Sequence, residues 1–278
     1  MVSRNVCLIS RGAMPFDEFL KNVAPLLGLY GRTFQRRGMK RRLERRMADI
    51  GLSGFDDYWS RIQEDVEERN RLAGILTVTI SRFFRDRDVF DRIETSVIPS
   101  MLERNRSELK VWSIGCASGE EPYSLAMLWR ERFQERWPAT RFTILATDID
   151  ENLLMRARDG RFKSSSVREV PEDIGGRGIA LESGFFVVNQ AIRQSVQFWR
   201  HDVLHEDPFP EMDMILCRNL AFTYFSKERQ MDVLRKISRS LKKEGYLCIG
   251  KDESLPLMYP TLFIPIHQKE RIYQKFGG

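Results

Sequence analysis

Cysteine and histidine are scarce in this chain of 278 residues, with four of the first and three of the second. Cys7, Cys116, Cys217 and Cys248 stand far apart, with neither paired metal-ligand spacing nor a small-domain disulfide pattern, so reduced thiols are expected. His201 and His205 in "WRHDVLHEDPF" could share a zinc ion, but no cysteine or further histidine completes a set there, and Pro208 and Pro210 break any helix. The segment therefore reads as a strand end with its loop, and no metal is expected. Long apolar runs are missing too. No segment approaches the roughly 20 apolar residues of a membrane helix, and "VCLIS" is too short for a signal h-region. A cytoplasmic protein without membrane insertion is the expectation. Internal repeats and low-complexity tracts are also lacking, so no repeat architecture is expected.

What is present is 42% hydrophobic and 11% aromatic residues, enough to bury one large domain and a small one. Net charge is +6. Much of the excess lies in "RTFQRRGMKRRLERRM", where Met39, Leu43, Met47 and then Ile50 recur at helical spacing. Its arginines then occupy exposed faces, turned to plain water, an acidic protein surface or nucleic acid.

Residues 1–92 read as a helical domain. "FDEFLKNVAPLLG" carries an apolar stripe of Phe16, Phe19, Leu20, Val23 and Leu27, and Ser53 is placed to cap a second helix striped by Phe55, Tyr58, Trp59 and Ile62. Residues 93–109, with "PSMLERNRSELK", read as a linker. From residue 110 to 278, apolar runs alternate with helical segments: "VWSIG", "FTILATD", "VQFWRHD", "MDMILCR", "YLCIG" and "ERIYQKF". That alternation predicts an α/β fold with a mostly parallel sheet. "GGRGIALESGFFVVNQ" reads as turn and hairpin, so residues 161–194 are expected to form an inserted β-subdomain.

The first strand runs into a glycine turn, "GCASGEE", and then a helix. Open α/β sheets bind ligands at this place, and a dinucleotide would rest its pyrophosphate on the helix amino-terminus. Glu120 and Glu121 would repel it, and the turn does not spell G-x-G-x-x-G. A cationic ligand without phosphate removes the conflict; S-adenosylmethionine, with its ammonium and sulfonium, fits. Acidic residues also simply stabilise a helix start by a few tenths to about 1 kcal/mol. "ILATDID" supplies the second feature, a carboxylate, Asp148, at the end of the second strand where a ribose is held.

In this order the motifs resemble those of the chemotaxis receptor glutamate methyltransferases, the CheR family. "LTVTISRFFRDRDVF" resembles its FFRE segment, "GCASGEEPYSLAM" its glycine loop, "ATDID" its ribose strand, "CRNLAFTYF" its RN-x-x-x-YF segment, and "LKKEGYLCIGKDESL" its LKPGGYLFLGHSESL. The resemblance implies a small all-α amino-terminal domain joined to a Rossmann-like methyltransferase sheet with a β-subdomain. It implies that Thr79, Ser81 and Arg85 reach the cofactor from the first domain, with Gly115 in the glycine loop. One or both of Glu120 and Glu121 would hold its methionine end and Asp148 its ribose. Asp202 and Val203, where the family has Asn-Leu, would flank the adenine. Arg218 and Asn219 would sit beside the reacting methyl, with Arg85, Arg218 and Tyr224 as the catalytic set. The basic helix, with Arg37, Arg41, Arg42 and Arg45, resembles the family's receptor-docking helix. Its partner would be an acidic protein acceptor such as chemoreceptor cytoplasmic helices, and no nucleic acid. Two departures stand out. "RNLAFTYF" has one residue more than the family's R-N-V-L-I-Y-F, and the β-subdomain lacks the usual "RYF" pair. A non-catalytic S-adenosylmethionine-binding adaptor and a methyltransferase for a different acceptor remain the alternatives.

Overall fold

Apolar stripes at helical spacing build the amino-terminal unit. The computed structural model describes residues 14–27, 29, 38–76, 81–257 and 259–276. Helices α1 (Phe16–Leu27), α2 (Met39–Asp49), α3 (Phe55–Glu64) and α4 (Val66–Leu76) bury Phe19, Leu20 and Val23, then Met39, Leu43 and Met47, then Tyr58 and Ile62, then Leu72 and Leu76. Phe19 packs its ring on Phe55 and Tyr58, at centroid distances of 5.2 and 5.8 Å. Ser53 does not cap α3. Gly54 takes the cap position without a side-chain bond, and the helix start is served by Asp56 and Asp57 in the first turn. Between α2 and α4 a buried Glu68 accepts from Arg46 and from the Tyr58 hydroxyl (2.7 Å), and Arg42 donates to the Ile75 carbonyl (3.2 Å).

The division between compact units falls at residues 78 and 79, not near residue 92. The physical reason is burial. Helices α5 (Arg87–Arg92) and α6 (Ile98–Arg104), joined by a π-helical turn (Ile93–Val97), place Val89, Phe90, Ile93, Val97, Ile98, Met101 and Leu102 in the core of the second unit. The supposed linker is therefore a helix whose charged residues face outward.

In the second unit the strands are β1 (Glu108–Ile114), β2 (Arg141–Asp148), β3 (Arg161–Phe162), β4 (Ile179–Glu182), β5 (Phe185–Val188), β6 (Val196–Arg200), β7 (Met212–Cys217), β8 (Leu241–Ile249), β9 (Phe263–His267) and β10 (Ile272–Lys275). Seven form one sheet in the order β6-β2-β1-β7-β8-β10-β9; β3, β5 and β4 form a small antiparallel sheet within residues 161–194. The first five strands of the large sheet run parallel, and β10 is antiparallel to both β8 and β9. Central strand β7 is buried at every position, as a two-sided sheet requires. Edge strand β9, not foreseen, contains Pro265; an edge tolerates a residue with no donor. Helices α7 (Glu120–Arg132), α8 (Glu151–Asp159), α9 (Glu172–Gly178), α10 (Gln190–Gln194), α11 (Ala221–Tyr224) and α12 (Lys227–Ser240) complete the unit. Chain order reverses between β1 and β7, the switch point at which such sheets bind ligands.

Candidate active site

Parallel register brings five strand ends to one edge. Ile114 stands opposite Thr147, Asp148 opposite Arg200, and Cys217 opposite Ile249. The loops that follow carry Gly115 to Glu121, Asp148, Asp202 and Val203, Arg218 and Asn219, and Gly250 to Glu253.

The glycine loop is pinned by β2. Gly115 and Cys116 both donate to the Thr147 carbonyl (2.8 and 2.9 Å), and Ala117 N–H donates to Asp148 Oδ2 (2.9 Å). Gly115 has φ +72°, and a Cβ there would lie 2.6 Å from Leu220 Cδ2; at Gly119, φ +92°, it would lie 3.0 Å from Ala157 Cβ and 3.1 Å from the Phe198 ring. Both positions need glycine for conformation and for space. Asp148 also accepts from Asp150 N–H (3.0 Å), so the carboxylate expected at a ribose is already a brace for the loop. Burial pushes its pKa up from the ordinary carboxylate value, against the pull of those amides.

The two glutamates differ in surroundings. Glu120 is buried, 4% exposed, where Ser81 and Ser166 donate to its carboxylate and burial raises its pKa; its Oε2 is enclosed without a hydrogen-bond donor. Glu121 lies at the switch point, accepting from the Ser113 hydroxyl at Oε1 (2.8 Å) and from Arg218 Nη1 at Oε2 (3.2 Å). Arg218 has a 3% exposed side chain, and its Nη2 donates to Asp86 Oδ2 (2.7 Å) and to the Arg85 carbonyl (2.8 Å). Arg218, just past β7, therefore ties the first turn of α7 to the segment that leads into α5.

That segment belongs to the second unit, so Ser81 and Arg85 do not reach the site from the first domain as expected. It is held by Phe83 N–H on the Ser166 carbonyl and Phe84 N–H on the Ser124 hydroxyl, both 2.9 Å. Phe84 and Asp86 take the left-handed conformation, φ 51° and 60°. The guanidinium of Arg85 emerges beside them, 40% exposed, with Nε 4.0 Å from Asp86 Oδ2. Thr79 lies outside the described residues, as does Arg37.

Asp202 and Val203 follow β6. Asp202 Oδ1 accepts from Leu204 N–H (2.9 Å) and Oδ2 pairs with His205 Nδ1 (2.7 Å). Burial pushes this carboxyl up, but the bonds from His205 and Leu204 outweigh it and hold it below the ordinary range. Lys236 Nζ donates to the carbonyls of Val203 (3.1 Å), Leu204 (2.8 Å) and Glu206 (2.7 Å), fixing the loop. His201 packs edge-on against Trp112, with Nε2 3.0 Å from the Asp207 carbonyl. Tyr224 ends α11 and is 3% exposed. On the first unit, Lys40, Arg41, Arg42 and Arg45 are exposed along α2.

Sequence reasoning missed Asp86, Ser113 and Glu253 as members of this cluster. Asp86 follows the FFR tripeptide directly, and Ser113 is the last residue but one of β1; only their spacing from Arg85 and the glycine loop pointed to them.

A family model described as the CheR methyltransferase SAM-binding domain matches residues 79–272, and one described as the CheR all-alpha domain matches residues 16–77. The chain belongs to the CheR methyltransferase family. Its cofactor is S-adenosylmethionine, and it is a methyltransferase that depends on that cofactor. A chemotaxis protein methyltransferase of Listeria monocytogenes is 33% identical over 238 residues, 85% of this chain and 88% of that protein. Chemotaxis protein methyltransferase 2 of Vibrio cholerae is 28% identical over 89% of this chain and 88% of its own. An uncharacterised 104.1 kDa protein of Rhodobacter capsulatus is 31% identical over 92% of this chain, which spans 27% of that longer protein. Among the described residues no helix is long and apolar enough to cross a membrane.

Proposed function

We propose that this family member transfers the methyl group of S-adenosylmethionine to a glutamate side-chain carboxylate of an acidic protein, a chemoreceptor or a related signalling protein. The observation that carries the reading is a carboxylate-lined switch point, with Arg218 buried in it on Glu121 and Asp86, and Arg85 paired to Asp86 next in the chain. Three carboxylates, Glu120, Glu121 and Asp148, surround the glycine loop, and one of their oxygens is buried without a donor. That environment suits a cation and penalises a phosphate. Glu121, facing β1 and β7, would hold the ammonium, with Glu120 behind it. Asp148 would accept from the ribose with lone pairs that Ala117 and Asp150 leave unused, and the Asp202–Val203 loop would flank the adenine.

When bound, the cofactor supplies an electrophilic methyl on a sulfonium. The acceptor glutamate needs no general base, since a free carboxyl titrates near about 4.3 and is ionised at neutral pH. What remains for the chain is orientation and exclusion of water. Arg85 offers the bidentate fork that aligns a carboxylate; Arg218, locked on Glu121 and Asp86, sets the electrostatics beneath it. Arg41 and Arg45, exposed on α2, would draw an acidic helix to the enzyme.

The test is labelled S-adenosylmethionine with purified chemoreceptor cytoplasmic fragments. A carboxyl ester releases its label as methanol in mild base. Protein-bound label that resists base would exclude the glutamate acceptor, and absence of transfer to the fragments, with cofactor binding intact, would point to a different acceptor.

A further inference from the structure

Glu253, in the loop after β8, has no part in the reading above. It is 3% exposed, and burial pushes its pKa up against the pull of its hydrogen bonds. Its Oε2 accepts from the backbone N–H groups of Asn219 (2.8 Å) and Gly250 (2.6 Å), and its Oε1 from the Thr223 hydroxyl (2.6 Å). These three donors belong to different pieces of the site. Asn219 follows Arg218 just past β7 with φ 56°, a conformation that disfavours most side chains; Thr223 lies in α11 next to Tyr224; Gly250 follows β8. The junction has no spare room. A Cβ on Gly250 would lie 2.5 Å from Asn219 Nδ2 and 2.8 Å from Glu253 Oε2.

A buried carboxylate is an expensive way to hold loops together unless its full acceptor capacity is used. Here it is used by three donors from two loops and a helix. An amide of the same shape would replace a charged acceptor by a neutral one for the two N–H groups and could keep the Thr223 contact only by reversing its direction, since a hydroxyl also accepts. We infer that Glu253 is a positioning residue for methyl transfer, holding Asn219 in its left-handed conformation and through it the placement of Arg218 and Tyr224. The inference rests on the assignment of Arg218 and Asn219 to the reacting end of the site. Nothing in it requires Glu253 to touch cofactor or acceptor.

Two isosteric variants, Glu253→Gln and Thr223→Val, test it in the full chain. Misplacement by about 1 Å costs on the order of 100-fold in rate, so Glu253→Gln should lower single-turnover methylation of a receptor fragment by about tenfold to 100-fold, and Thr223→Val by less. The Kd for S-adenosylhomocysteine should stay within about threefold, since a positioning defect falls on turnover before affinity. Hydrogen exchange at the Asn219 amide should speed up in Glu253→Gln without a matching rise across the sheet. Equal exchange at Asn219 in wild type and variant overturns the proposal whatever the acceptor proves to be. A rate loss that merely parallels a fall in Tm and in affinity reduces Glu253 to a structural residue. Failure of the wild-type protein to methylate any carboxylate would instead strike the function proposed above, leaving the exchange result to decide on Glu253.

Discussion

Asp148 sits 9% exposed between two backbone amides that it organises and a ribose that it is proposed to hold. The two roles separate by experiment. Asp148→Ala should weaken S-adenosylhomocysteine binding roughly tenfold or more, charge-assisted hydrogen bonds being worth about 1.5 to 3 kcal/mol. If the ribose is its partner, a 2',3'-dideoxy analogue should bind wild type and variant alike; if the loop alone is disturbed, both ligands lose equally in calorimetry. The raised carboxyls add a protonic signature. In Glu120 and Asp148 burial lifts the folded pKa above the unfolded value. Their stabilising contribution is therefore complete below the unfolded pKa and is lost as pH rises through the folded one. A cation binding there favours ionisation, so S-adenosylmethionine should release protons at mildly acidic pH, and S-adenosylhomocysteine, lacking the sulfonium, fewer. Calorimetry in two buffers of different ionisation enthalpy reads the difference. At this scale sequence located the carboxylates that the fold gathers around the glycine loop, because "GEE" at a helix mouth conflicts with a phosphate. It did not reveal the residues that only hold others. Asp86 and Glu253 act through the geometry of loops distant in sequence, and no local pattern encodes that.

Among the elements, α2 has two kinds of arginine. Arg46 and Arg42 are used inside the unit, on Glu68 and the Ile75 carbonyl; Arg41 and Arg45 point to solvent. Replacing Arg41 and Arg45 with Glu should slow methylation of an acidic acceptor and reverse its dependence on salt, with cofactor affinity unchanged. Equal rates at low and high salt would leave the pair as a solvated face. The Glu68 cluster makes the opposite kind of prediction. Burial raises its carboxyl, but bonds from Arg46 and Tyr58 outweigh this and hold it below the ordinary range. Its contribution is then present above the unfolded value of about 4.3 and lost as pH falls through the folded one. Glu68→Gln should lose stability at neutral pH and show a flatter acid limb than wild type in melts from pH 3 to 6. Strands β1, β2, β6, β7 and β8 were legible because parallel strands read as unbroken apolar runs. Edge strand β9 was not, since its proline argues against a strand unless the edge is known in advance. The helical residues 93–104 were read as part of a linker because their outward charges hide a buried stripe.

For the molecule as a whole, the α/β class and the helical amino-terminal portion followed from periodicity, while the boundary did not, because it depends on which core claims residues 79–104. The order of the sheet carries a further consequence. Strand β10 lies between β8 and β9, although it is the last of the three to be synthesised. On the ribosome, β9 emerges with no partner and β8 waits with one side open. Only when residues 272–275 clear the exit tunnel do both gain their ladder. A chain cut short at Glu270 by a premature stop or by proteolysis would thus lose more than its final strand. It would carry two unpaired edges, the usual seeds of aggregation, and the quality-control machinery of the cell would meet it as a misfolded polypeptide.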